Sequence, residues 1–172
     1  MLSGKFLAYV LRHSPQSVML ELDEHGRVPF SHAVAALRTT PSELQRVIDE
    51  DSKGRFIHAD GMLWAAHGHS VPIVPLAVEY EPEVGEVAYH GTSSRFIDSI
   101  LERGLLPKGR QFVHLSRRRE EAEEVGRRHG GELVVLSVAV YDYRETGGAL
   151  HMSEDGVLLT HKIPSTYLQV LS

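Results

Sequence analysis

Residues 55–66 read Arg55-Phe56-Ile57-His58-Ala59-Asp60-Gly61-Met62-Leu63-Trp64-Ala65-Ala66. Asp-Gly between two β-prone runs favours a two-residue turn with both central residues at positive φ, so the stretch predicts a β-hairpin. Immediately upstream, Thr40-Pro41-Ser42-Glu43 is a capping box with Pro at the first helical position, and Leu44, Val47 and Ile48 form the apolar stripe of the helix it opens. An earlier helix is expected after Ser31, carrying Val34 and Leu37. Before that, Phe6, Leu7, Val10 and Leu11 line one face of a short helix that Ser14-Pro15 stops, with Arg12 and His13 in its last turn. Three helices followed by a hairpin make a winged-helix-like unit.

Downstream the composition changes. Pro72, Pro75 and Pro82 punctuate a stretch that ends in Glu79, Glu81, Glu83 and Glu86, which reads as a linker or crossover. Val87-Ala88-Tyr89 then reads as a strand running into His90-Gly91-Thr92. Phe96, Ile97, Ile100 and Leu101 mark a helix ended by Gly104, and further strands are expected at 112–115, 133–140 and 157–160. Residues 117–128 read as a solvated helix with i, i+4 pairs Arg117/Glu121, Arg119/Glu123 and Glu124/Arg128. The expected organisation is an α+β chain with one lobe over 1–75, a linker over 76–86 and a second lobe over 87–172.

Composition bounds the chemistry. The chain has 172 residues, 18 Lys+Arg against 23 Asp+Glu, no Cys and a hydrophobic fraction of 42%. That apolar content supports a packed core and argues against disorder. Without cysteine there is no disulfide, thiolate zinc site or Cys nucleophile, and a reducing compartment fits. The absence of an N-terminal apolar segment and of any long apolar run predicts a cytoplasmic protein that does not enter membranes. A net charge of −5 disfavours non-specific coating of nucleic acid, but leaves room for local arginine sites.

Taken singly, the polar candidates have ordinary explanations. Arg12 and His13 at a helix end suit the last carbonyls. Arg55 follows Asp49, Glu50 and Asp51, any of which could hold it in a salt bridge. Arg110 lies in a loop after Pro107-Lys108-Gly109. His67-Gly68-His69 lacks a nearby carboxylate to complete a metal site, so no metal is expected. His90 and His114 fall in or at the ends of strands, where a histidine bonded to a backbone carbonyl is the default. Phosphate-loop, dinucleotide-fingerprint, zincin and hydrolase-elbow motifs are all missing.

Read in order, however, Leu11-Arg12-His13-Ser14-Pro15, Lys53-Gly54-Arg55-Phe56, Gly68-His69-Ser70, Tyr89-His90-Gly91-Thr92 and Val113-His114-Leu115-Ser116 resemble the Tpt1/KptA family of RNA 2'-phosphotransferases. The resemblance continues through Gly104-Leu105, Arg127-Arg128-His129-Gly130 and the segment from Ser153 to Thr160, and so covers nearly the whole chain. It implies an N-terminal winged-helix RNA lobe followed by an NAD+-binding lobe of the ADP-ribosyltransferase fold. The implied reaction, in tRNA splicing, removes an internal RNA 2'-phosphate in two steps. The 2'-phosphate attacks C1'' of the nicotinamide ribose and expels nicotinamide, giving an RNA-2'-phospho-ADP-ribose intermediate. The 2''-OH then attacks the phosphate, releasing RNA 2'-OH and ADP-ribose 1'',2''-cyclic phosphate.

By the same resemblance, Arg12, His13, Arg55 and Arg110 form the catalytic set. Planar, permanently charged guanidinium groups from two lobes suit a dianionic nucleophile, and His13 suits phosphate contact or proton transfer. Gly68, His69, Ser70, His90, Gly91, Thr92, His114 and Ser116 are implied to bind NAD+, with the absent side chain of Gly91 allowing close approach. NAD+ is a co-substrate, the RNA with an internal 2'-phosphate is the partner, and a monomer is expected. Three positions depart from the family pattern. His67 replaces a glutamine, Phe112 replaces a histidine, and Trp64 stands where arginine is usual and is expected to pack in the core, the alternative being to stack on a base of single-stranded RNA. The glutamate that many protein-modifying ADP-ribosyltransferases carry on the late strand corresponds to Val157. The competing readings are ADP-ribosylation of a terminal RNA or DNA phosphate, and a non-catalytic winged-helix nucleic-acid binder.

Overall fold

The computed structural model describes residues 2–171 and divides the chain into two compact units, Met1–Leu76 and Ala77–Ser172. Among the described residues there are six α-helices and three antiparallel sheets, an α+β architecture.

In the first unit, α1 (Gly4–His13) is capped by Ser3, whose Oγ accepts from Phe6 N at 3.2 Å. A short strand β1 (Arg27–Pro29) leads directly into α2 (Phe30–Ala36), and α3 (Pro41–Asp49) follows. Thr40 Oγ1 accepts from Glu43 N at 3.2 Å as the capping sequence predicts. The reciprocal half of the box is replaced, because Glu43 Oε1 accepts instead from Leu2 N at 3.1 Å. The hairpin is β2 (Phe56–Ala59) and β3 (Met62–Ala65), turned by Asp60 at φ 51° and Gly61 at φ 74°. The sheet order is β1-β3-β2, so the hairpin gains a third strand that the sequence reading did not anticipate. Leu7, Val10, Leu11, Val28, Leu44 and Leu63 are fully buried in one core. Trp64 is 8% exposed, consistent with the packing role expected for it.

The second unit begins inside the expected linker: Ala77–Glu79 form β4. After it come β5 (Ala88–Ser93), α4 (Ile97–Arg103), β6 (Val113–Leu115), α5 (Arg119–Arg127), β7 (Leu133–Val138), α6 (Val140–Glu145), β8 (His151–Ser153), β9 (Leu158–Thr160) and β10 (Leu168–Leu171). Two sheets, β10-β7-β5 and β4-β8-β9-β6, are joined by one bridge in which Tyr89 and Ser116 exchange backbone hydrogen bonds of 2.8 Å. Ala88, Leu136 and Val138 from the first sheet share a core with Val113, Leu115 and Leu158 from the second, and α4 covers it with Ile100. The residues preceding β5 are fastened at both ends. Arg144 pairs with Glu79 and Glu81, and Tyr80 donates to Glu86 at 2.7 Å.

Of the three charge pairs expected on α5, Arg119–Glu123 and Arg128–Glu124 form at 3.1 and 2.7 Å. Arg117/Glu121 does not, because the helix begins at Arg119. Arg117 lies outside it and approaches Glu86 at 3.8 Å, while Glu121 is taken by Arg118.

Candidate active site

In the first unit the C-terminal turn of α1 organises the polar groups. The last carbonyls of a helix lack intrahelical partners, and here the carbonyl of Arg12 accepts from Ser70 N at 2.9 Å and Val71 N at 3.3 Å. This docks the Gly68-His69-Ser70 loop on the helix end. His13 Nδ1 then lies 2.9 Å from Ser70 Oγ. Gly68 takes φ 91°, and a Cβ at that position would stand 3.4 Å from Arg12 Cζ and Nε. Glycine is needed here for its backbone conformation, and the Arg12 guanidinium packs across it at van der Waals distance. Arg12, His13, Gly68, His69 and Ser70 form one cluster.

His69 is buried, with 4% of its surface exposed, and its Nε2 has no hydrogen-bond partner among the described residues. Burial, reinforced by Arg12, His67 and His13, drives its pKa down to about 4. The imidazole is neutral at physiological pH.

Arg55 immediately precedes β2, its carbonyl accepting from Ala66 N at 3.0 Å. Of the three acids preceding it, Asp51 takes the arginine. Its Oδ1 accepts from Arg55 Nε at 2.8 Å and Nη2 at 2.6 Å, and its Oδ2 from the Arg55 backbone N at 2.6 Å. The Asp51 side chain is only 3% exposed, so this is an inward anchor and not a surface pair. The Arg55 guanidinium lies 5.1 Å from the centroid of the Phe56 ring, and its Nη2 is 2.9 Å from where a Gly4 Cβ would stand. Asp51, Phe56 and Gly4 hold the group from three sides. The sequence pointed to Asp51 only as one of three candidates, and gave no sign of Gly4, which is remote in the chain.

In the second unit, His90 donates from Nδ1 to the His114 carbonyl at 3.1 Å, since a carbonyl can only accept. That is the default expected for a strand histidine. Burial pushes its pKa below the ordinary histidine value, against the opposing effect of this bond, and His129 and Arg110 act in the same direction as burial. The neutral ring then presents Nε2 as an acceptor. By strand alternation Ala88, His90 and Thr92 share one face of β5. Ala88 lies in the core and Thr92 is buried, while Ser116 is fixed to Tyr89 through the main chain.

Gly91 also has a packing reason that the sequence does not show. A Cβ there would fall 1.7 Å from Ala122 O and 2.9 Å from Gly126 N, so the missing side chain is required by the approach of α5. Gly126 is the complementary glycine, its Cβ position lying 3.0 Å from the Gly91 carbonyl carbon. Arg110 stands on an exposed loop closed by its own N–H to the Pro107 carbonyl at 2.9 Å. Although the residue reaches solvent, the protein around it partly desolvates its guanidinium. That desolvation, with Arg128 adding repulsion, lowers its pKa. The departure at Phe112 is accommodated by His161, with ring centroids 4.9 Å apart. Val157 ends a turn in which its N–H donates to Ser153 Oγ at 3.1 Å and its carbonyl accepts from Ser153 N at 2.9 Å.

Among the described residues no His/Asp/Glu cluster has the arrangement of a metal site, and no helix is long and apolar enough to cross a membrane.

A cation laid across a glycine, a histidine tied to a serine and a second anchored arginine define a protein equipped for anionic ligands. The chain belongs to the RNA 2'-phosphotransferase, Tpt1/KptA family, whose model matches residues 1–162. It is 42% identical over 175 residues to a Pseudomonas aeruginosa protein named "Probable RNA 2'-phosphotransferase", covering 97% of this chain and 94% of that one. Proteins of the same name from Acetivibrio thermocellus and Thermococcus kodakarensis are 36% and 35% identical, over 96% and 94% of this chain and 94% and 91% of theirs.

Proposed function

We propose that this enzyme removes an internal 2'-phosphate from RNA by transferring it to NAD+, yielding RNA 2'-OH, nicotinamide and ADP-ribose 1'',2''-cyclic phosphate. In this reading Met1–Leu76 is a winged-helix-like RNA lobe and Ala77–Ser172 an NAD+ lobe of the ADP-ribosyltransferase type. The observation that carries the reading is the seating of Arg12 and His13 on Gly68-His69-Ser70. A cluster cationic enough to help keep a buried imidazole neutral is a place where a phosphate dianion replaces missing negative charge.

The co-substrate supplies an electrophilic C1'' carbon with nicotinamide as leaving group. Arg12 and Arg55 bind and orient the 2'-phosphate, because a guanidinium offers paired donors that match its oxygens and stays charged throughout. Asp51 leaves Arg55 Nη1 and the outer Nη2 hydrogen for that task. His13 holds a phosphate oxygen or moves the proton of the 2''-OH, and Arg110 stabilises charge on the phosphate as it transfers. His90 Nε2 and Thr92 on one face of β5, with His114 on β6 and Ser116 just after it, fit the hydroxyl-rich ribose of NAD+. Gly91 contributes by admitting α5. Val157, having no carboxylate, leaves the 2''-OH free to attack. The reading places the protein in tRNA splicing or related RNA processing, in the cytoplasm, as a monomer.

The test is nicotinamide release from NAD+ with a short RNA bearing one internal 2'-phosphate, against the same RNA with a 2'-OH. Release is expected only with the phosphorylated RNA, and Arg12→Ala is expected to slow it by about a hundredfold or more. Equal release with either RNA would refute the reading. A stable, heavier RNA carrying ADP-ribose would favour terminal-phosphate ADP-ribosylation instead.

A further inference from the structure

Phe96 follows the β5 strand in the single-turn helix Ser94–Phe96, and two cations share its ring. Arg95 Cζ is 4.7 Å and Lys108 Nζ 4.6 Å from the ring centroid. The two charges are therefore no more than about 9 Å apart, comparable to the Debye length of about 8 Å at physiological salt. Among the described residues neither has a carboxylate at salt-bridge distance, and neither does Arg110, two residues beyond Lys108. In a chain of net charge −5 this is unusual. On α5 and at its two ends, by contrast, the arginines are matched by Glu121, Glu123 and Glu124.

Further basic residues lie close to this pair. Arg95 Nη2 donates to the His129 carbonyl at 2.6 Å, His129 follows Arg128, and Arg128 and Arg110 repel one another. The pair borders the strand that carries His90 and Thr92, but it faces outward. Arg95 and Lys108 are exposed, whereas Thr92 and Ser93 at the strand end are buried. Exposed cation–π contacts contribute only about 0.5–1 kcal/mol each, and mutual repulsion opposes them, so packing alone is a weak reason for two cations on one ring.

We infer that Arg95 and Lys108, splayed on Phe96, form a docking rim for the RNA strand, holding backbone phosphates that flank the 2'-phosphate. The inference rests on the RNA reading above and extends it to residues outside the catalytic set. RNA is favoured over the pyrophosphate of NAD+ because the cations are solvent-facing and spread along a surface, which suits a chain of single charges spaced along a strand. Phe96 acts as the platform that fixes the two side chains.

The experiment is a salt titration of RNA binding by the full chain, wild type against Arg95→Gln/Lys108→Gln. The probe is an oligonucleotide with one internal 2'-phosphate, run beside the same oligonucleotide without it. The double variant is expected to bind both RNAs roughly tenfold more weakly near 0.1 M salt, and the slope of log K against log salt is expected to fall by about 1.4 for two lost single-strand phosphate contacts. In steady-state assays KM for RNA should rise by a similar factor, with kcat and KM for NAD+ unchanged. Unchanged slope and affinity would overturn the rim, and a rise in KM for NAD+ alone would assign it to the co-substrate. Because binding is read without turnover, an inactive wild type that still shows the slope difference would refute the proposed reaction and leave the docking rim standing.

Discussion

Asp51 shows how one buried carboxylate can set the quality of a reactive arginine. Three hydrogen bonds of 2.6–2.8 Å to Arg55 fix its backbone and the Nε edge of its guanidinium. Asp51→Asn keeps the shape but loses the charge and an acceptor lone pair, so Arg55 is expected to wander. Because misplacement by about 1 Å is enough to cost roughly a hundredfold, kcat should fall about ten- to a hundredfold with KM for NAD+ little changed. Steady-state kinetics check this; an unaltered kcat would make Asp51 purely structural. His69 makes a separate prediction about stability. Its folded pKa of about 4 lies below the unconstrained value of 6.5, so the unfolded chain takes up the proton first as pH falls. Stability contributed by the neutral ring is complete above about pH 6.5 and is lost on descent toward pH 4, by about 3 kcal/mol in all. Thermal melts from pH 7 to 4 should show His69→Gln losing less stability than wild type, and parallel curves would count against a depressed pKa. At this scale the sequence was legible where an ordinary rule applied. Asp51 was among the three partners that proximity suggested for Arg55, and His90 makes the carbonyl bond that strand histidines commonly make. Gly4 was illegible because its meaning comes from a side chain more than fifty positions away.

Among the elements, the contact of β5 with α5 is the most demanding. The Gly91 and Gly126 backbones meet at a distance no Cβ allows, 1.7 Å to Ala122 O in the case of Gly91. Gly91→Ala must displace α5 from the sheet, and a loss above about 3 kcal/mol is expected. Gly109→Ala, with open space around it and no positive φ, should change stability by less than about 0.5 kcal/mol. Denaturant titration of both variants distinguishes helix packing from a general intolerance of Gly→Ala. The longer elements were readable from periodicity and caps: α1 from its apolar stripe, α3 from Thr40-Pro41, and the β2–β3 hairpin from Asp60-Gly61. The strands β1, β4, β8 and β10 were not, since three or four residues are too few to show alternation and their pairing partners are distant in sequence. The start of helix α6 was hidden at the end of an apolar run read as one strand to Val140. The break falls at Ala139, whose N–H donates to the Tyr167 carbonyl, and nothing local announces it.

For the molecule as a whole, net charge gave the wrong scale on which to look for anion binding. A balance of −5 conceals where the cations lie, because most arginines of α5 are neutralised on the spot while Arg95, Lys108 and Arg110 are not. The family was legible from ordered short motifs, and the match over residues 1–162 bears it out. The central claim is that the 2'-phosphate leaves RNA by transfer to NAD+. It is tested most directly with an RNA whose internal 2'-phosphate carries radioactive phosphorus, incubated with the full chain with and without NAD+. The label should move, only when NAD+ is present, into ADP-ribose 1'',2''-cyclic phosphate with one nicotinamide released per phosphate. Label recovered as inorganic phosphate regardless of NAD+, or retained on the RNA, would contradict the account.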